Sequence, residues 1–284
     1  MSGFDDIAVA TADRRLKLYA RSYPGPEPTI LMLHGLTRNA CDFDGLAARL
    51  RGRYRLVVAD QRGRGKSDWD PNPANYAPAT YCADMLHLID ELKLDRPIII
   101  GTSMGGLMAM IMATLRPNGF RGIILNDVGP QIEQAGLDRI ASYVGASDVI
   151  ESWEDAAAYC RRINGYAFPD YDDAQWDAFA RCVFHENDVG VPVLAHDPAI
   201  AAGLSSANPT AVPPDMWSMW QGLADMPVLA VRGALSDILS TQTLHRMAEL
   251  HPRMQSVTVS NVGHAPMLDE PEVLAAINSF LAAL

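Results

Sequence analysis

The chain has 284 residues, of which 49% are hydrophobic and 20% charged, with a formal net charge of -11. That balance describes a globular protein with a large core, one domain or one domain with a sizeable insertion. It opposes nucleic acid and anionic membrane surfaces as partners, since the Arg and Lys residues form no long basic run.

In chain order, Ile7 to Ala10 and Leu16 to Ala20 read as a hairpin about Asp13-Arg14. Thr29 to Leu33, Tyr54 to Ala59, Pro97 to Ile100 and Gly122 to Asn126 then form apolar runs with little polar alternation, as expected of strands covered on both faces. Helical patterns fall between them: Asp42 to Leu50, Thr80 to Leu92 with Thr80 as N-cap, and Met104 to Leu115. Strand and helix alternating in this way predict an α/β fold with a mostly parallel sheet.

From residue 129 to 214 the strand runs give way to helix-like pieces such as Ser152 to Asn164 and Asp172 to Phe184. Strand patterns resume at Pro227 to Val231 and Gln255 to Val259, separated by a helix over Thr241 to Leu250, and Pro271 to Leu284 closes the chain as a helix with Pro in its first turn. The parse is a core domain of residues 1–128 and 215–284, interrupted by a helical cap at 129–214 that is too long for an ordinary loop. The stretch from Gly105 to Leu115 stops at Arg116-Pro117, short of a membrane span. Cys41, Cys82, Cys160 and Cys182 show no C-x-x-C spacing, and the first residues lack a basic region followed by an apolar one. Four reduced thiols in a cytoplasmic protein, monomeric or homodimeric, are expected.

Chemistry concentrates at strand ends. Gly101-Thr102-Ser103-Met104-Gly105 joins a strand to a helix, the setting in which G-x-S-x-G holds its serine exposed on a strained turn. His34-Gly35-Leu36-Thr37 follows another strand, and the Leu36 amide could pair with that of Met104 as an oxyanion hole. Asn261-Val262-Gly263-His264-Ala265-Pro266 puts an imidazole at the same sheet edge, available to take the serine proton. Asp237, in Ser236-Asp237 after Pro227 to Val231, would orient that imidazole; Asp127, after another strand, could also reach it. His87, His245 and His251 fall on helical patterns, and His185 and His196 lie in the cap, where they could only shape a pocket. No histidine pair has metal-ligand spacing, so no metal or other cofactor is expected. Gly65-Lys66-Ser67 invites a phosphate-loop reading, but Asp60 stands where the first Gly should be and a Pro-rich segment follows.

These motifs, with Asp60-Gln61-Arg62-Gly63-Arg64-Gly65-Lys66-Ser67, resemble the α/β-hydrolase superfamily, specifically its cap-bearing serine hydrolases, over nearly the whole chain. The resemblance implies an α/β-hydrolase fold: a mostly parallel central sheet flanked by helices with an inserted helical cap. It also implies a cofactor-independent esterase or lactonase in which Ser103, His264 and Asp237 form the catalytic triad. Ser103 sets the chain apart from dehalogenases and epoxide hydrolases, which resemble it in layout but use Asp. Carbon-carbon bond hydrolases of ring-cleavage diketones share the G-x-S-M-G-G turn, but typically have Trp where Ala265 stands. A ligand-sensing protein with slow turnover is the other alternative. A small-molecule ester or lactone is the expected partner, in a pocket walled by Trp217, Trp220 and Met108.

Overall fold

A computed structural model describes residues 3–145, 148–204 and 216–284. In chain order the strands are β1 (Asp5–Ala10), β2 (Lys17–Tyr23), β3 (Ile30–Leu33), β4 (Leu56–Ala59), β5 (Ile98–Thr102), β6 (Ile123–Asn126), β7 (Phe184–Glu186), β8 (Pro192–Leu194), β9 (Val228–Gly233) and β10 (Met254–Val259). The helices are α1 (Asp44–Leu50), α2 (Pro78–Glu91), α3 (Met104–Leu115), α4 (Gln134–Tyr143), α5 (Trp153–Asn164), α6 (Asp173–Val183), α7 (Met216–Gly222), α8 (Thr241–Leu250) and α9 (Pro271–Ala282).

Eight strands form one sheet in the order β1-β2-β4-β3-β5-β6-β9-β10, parallel from β4 to β10 and antiparallel at the β1-β2 edge. The apolar runs have a simple cause: successive side chains of a strand serve opposite faces. Leu31 and Leu33 enter the core on one side of the sheet and Ile30 and Met32 the core on the other, all fully buried. With helices on both faces, neither side can be polar. Each such side chain contributes about 1.5–3 kcal/mol through burial. α3 is buried from Met104 to Ala113, which explains its uniformly apolar sequence.

Several local expectations shift. α2 begins with Pro78 at its first position and Ala77 as N-cap, so Thr80 lies inside the first turn instead of capping it. Ser152 and Asp172 do cap α5 and α6, the latter in a capping box with Gln175. Between β6 and α7 lie α4, α5, α6 and the small antiparallel pair β7-β8, whose three-residue strands leave almost no periodic signal. The expected end of the insertion at residue 214 lies outside the described residues.

Cys41 and Cys182 are joined in a disulfide, with Cα atoms 5.5 Å apart. This corrects the expectation of four reduced thiols: only Cys82 and Cys160 are free, and both are buried. The thiols therefore give no argument for a reducing compartment. Among the described residues no helix is long and apolar enough to cross a membrane.

Candidate active site

Ser103 stands between β5 and α3 with φ 52° and ψ -114°, a left-handed conformation costly for any residue with a side chain. Its neighbours make that turn possible. A Cβ on Gly101 would lie 2.4 Å from the Gly105 carbonyl, and one on Gly105 2.1 Å from Leu33 O, so α3 can approach the sheet only where both are glycine. The Ser103 amide donates to Asn126 O at 3.0 Å, locking the turn to the end of β6.

His264 Nε2 lies 2.9 Å from Ser103 Oγ, and His264 Nδ1 lies 2.7 Å from Asp127 Oδ2. The carboxylate beside the imidazole is thus Asp127 and not Asp237, a correction with a clear physical reason. Asp127 is fully buried and accepts hydrogen bonds from the Gly233 amide at 2.8 Å and the Ser236 hydroxyl at 2.6 Å as well. Those donors come from the end of β9 and the loop after it, so that loop holds the carboxylate that meets His264 instead of supplying it. Asp237 turns away to Arg139 of α4, which donates from Nε at 2.6 Å and Nη2 at 3.0 Å. Tyr166 Oη reaches both Asp237 and the His264 carbonyl at 3.3 Å. Burial works against the Asp237 charge, but Arg139 outweighs it and holds the carboxyl below its ordinary range. Asp237 is therefore a tie between α4 and the sheet edge.

The Leu36 loop is fixed by a buried histidine that the sequence treated only as part of a turn. The Gln61 amide donates to His34 Nε2 at 3.1 Å, so Nδ1 carries the proton and donates to Gly35 O at 2.7 Å. In a trans peptide the N–H points away from the C=O. Fixing the Gly35 carbonyl therefore also aims the Leu36 amide. Arg64, fully buried, holds the Leu36 carbonyl at 2.8 Å. Met104 occupies the first position of α3, where a helix provides no acceptor for the N–H.

The loop that resembled a phosphate cradle wraps a carboxylate. Asp60 accepts from the Ala40 amide at 2.6 Å and the Lys66 amide at 2.9 Å, and a Cβ on Gly65 would strike it at 2.0 Å. Arg62 in the same loop is buried against Asp84 and Asp70. The Arg62 guanidinium is thus not free for a nucleotide, nor is that of Arg64, which donates to the Leu36 and Arg62 carbonyls.

Ser103 and His264 open into a cavity of about 100 Å³, small beside the roughly 300–1,000 Å³ of drug-sized pockets. Its roof is formed by residues between β6 and β9, among them Tyr143, Phe168, Phe179 and Leu194. None of the three residues expected to wall the pocket lines it. Trp220 is fully buried in the core, donating to Met247 O at 3.1 Å and packed on His251, because α7 lies against α3. Trp217 stacks under Arg246 with its N–H toward Gln131, and Met108 is buried beside Gln61 and Cys82.

Two buried imidazoles predict a pH response. Burial lowers His34 to about 3, and burial with the nearby Arg64 charge lowers His196 to about 4. Both folded values lie below the unfolded one of about 6.5, so the unfolded chain binds more protons and stability falls as pH drops from about 6.5 toward 3. Asp60, pushed up to about 6 by burial, acts oppositely between about 6 and 4, but one carboxylate offsets only part of two histidines. Denaturant unfolding at pH 7.5, 5.5 and 4.5 should show a falling midpoint, with a shallower fall in His196→Gln. An unchanged slope in that variant would refute the assignment for His196.

Comparison with known proteins places this geometry. Residues 30–277 match the model of the alpha/beta hydrolase family. The chain belongs to that family. An alpha/beta hydrolase from Novosphingobium aromaticivorans superposes with a TM-score of 0.94 at 39% identity, each chain covered in full. A 3-hydroxybutyrate-oligomer hydrolase from Cupriavidus necator is 33% identical over 98% of this chain and 96% of its own. A 2-(acetamidomethylene)succinate hydrolase from Mesorhizobium japonicum is 29% identical over 91% of this chain and 90% of its own. The expected fold and family hold, and this alpha/beta hydrolase is a hydrolytic enzyme.

Proposed function

We propose that this hydrolase cleaves short carboxylic esters or lactones, hydroxyalkanoate esters in particular, through an acyl-enzyme on Ser103. The observation that carries the reading is the unbroken relay from Asp127 through His264 to Ser103 beneath a small, roofed cavity. Ser103 Oγ attacks the carbonyl carbon while His264 Nε2 takes its proton, and Asp127 stabilises the imidazolium through Nδ1–H. The Leu36 and Met104 amides are the donors proposed for the oxyanion. His264 then protonates the departing alcohol, and water, deprotonated in turn by His264, releases the acid and restores Ser103. Helices α4, α5 and α6 with the β7-β8 pair act as the cap and set selectivity.

The cavity favours a short acyl group over a lipid chain, and the full-length similarity to an oligomer hydrolase supports a hydroxyalkanoate. The test is a panel of the 3-hydroxybutyrate dimer, short and long alkyl esters, a lactone and a ring-cleavage diketone. Short esters or the dimer should give kcat/KM on the order of 10⁴ M⁻¹s⁻¹ or above. Turnover of the diketone alone would replace this reading.

A further inference from the structure

Arg38 is the only Arg or Lys side chain among the described residues lining the cavity that holds Ser103 and His264. Its stem runs beside the nucleophile: a Cβ built on Gly35 would lie 3.5 Å from Arg38 Cγ and 3.8 Å from Ser103 Cβ. Its head is held from two directions. Nε and Nη2 donate to the Asp42 carboxylate, and the guanidinium carbon stacks 4.0 Å from the centroid of Phe179 in α6. A guanidinium presents two edges that can each hold a carboxylate in a fork. Asp42 takes the Nε/Nη2 edge and leaves the Nη1/Nη2 edge without a carboxylate. Burial disfavours the Arg38 charge, but Asp42 more than compensates, so the side chain stays cationic with or without an occupant.

We infer that Arg38 is a carboxylate-recognition residue, and that the preferred substrate is an ester bearing a free carboxylate a few bonds from its scissile carbonyl. This inference rests on the ester-hydrolase reading above. The chain's net charge of -11 repels anions at long range, so selectivity for an anionic substrate must come from a local, preorganised cation. Arg38 meets that requirement because Asp42 and Phe179 fix its plane before any substrate enters. The free acid end of a hydroxyalkanoate dimer is such a carboxylate, separated from the ester oxygen by two carbons of the alcohol portion.

The experiment compares the 3-hydroxybutyrate dimer with its methyl ester, which differs only in the masked carboxylate. The wild-type enzyme should favour the acid, and Arg38→Gln should reduce the acid-to-ester ratio of kcat/KM by about 10- to 100-fold, chiefly through KM for the acid. Because Arg38→Gln strands Asp42, the neutral pair Arg38→Gln/Asp42→Asn is measured alongside and should show the same reduced ratio. Arg38→Lys, a charge without a fork, should recover part of it. Binding of the dimer to Ser103→Ala, followed by calorimetry, should weaken to the same degree when Arg38→Gln is added. If the methyl ester is hydrolysed as well as the acid and the ratio is unmoved in both Arg38 variants, the inference fails while the hydrolase reading stands. If neither compound is turned over yet binding depends on Arg38, carboxylate recognition by Arg38 stands and the ester-hydrolase reading fails.

Discussion

Ser103→Ala is expected to lower kcat by about four to six orders of magnitude and to abolish covalent labelling by an organophosphonate. The hydroxyl at this position is the one within 2.9 Å of an imidazole that is itself backed by a carboxylate. Without it, His264 has no nucleophile to deprotonate, and the residual rate is that of water in an oxyanion-binding pocket. The variant should fold, because the half-buried turn loses only an oxygen and its backbone bond to Asn126 is retained. Peptide mass spectrometry locates the probe on the wild-type chain. Labelling at another serine, or an active Ser103→Ala protein, would remove this residue from the chemistry.

Asp127→Asn should cost about 10⁴ in kcat, whereas Asp237→Asn should cost less than about tenfold. An amide at 127 can donate to the imidazole, favouring the tautomer that leaves Nε2 protonated and unable to accept from Ser103. It also gives up the charge that stabilises the imidazolium. Asp237→Asn breaks a partly exposed ion pair with Arg139, worth about 1 kcal/mol of stability on the scale of such pairs. Measured on variants with matched thermal stability, the reverse ranking would return the acid role to Asp237. A small effect of both changes would mean that His264 needs no carboxylate partner.

Much of this architecture can be read from local sequence. Buried parallel strands announce themselves through Ile, Leu and Val without polar alternation, and α3 was placed residue for residue because G-x-S-x-G fixes where the strand ends. Ser103 and His264 each sit in a short motif whose chemistry depends on immediate neighbours. The acid is different: Asp127 and Asp237 both follow strands, and only the pairing of β6 with β9 decides which one the imidazole meets. The disulfide spans 141 residues with no spacing pattern to betray it. The surroundings of Trp217 and Trp220 are not legible in the sequence, because a seven-residue helix can turn the same aromatics to a pocket or to α3. Arg38 stands in no motif, and the motifs holding His34 and Arg64 do not give their roles, which depend on what the fold brings to their polar atoms.

Thr102 and Asn126 are register partners in adjacent strands, so Ser103 and Asp127, the proposed nucleophile and acid that follow them, are spaced by a single rigid pair of strands. The stretch after β9 is thereby relieved of half its duty: Ser236 must stay to hold Asp127, but position 237 is occupied with α4 and the roof. Position 237 and α4 can be exchanged together as a module to reshape the entrance, with the spacing between positions 103 and 127 untouched.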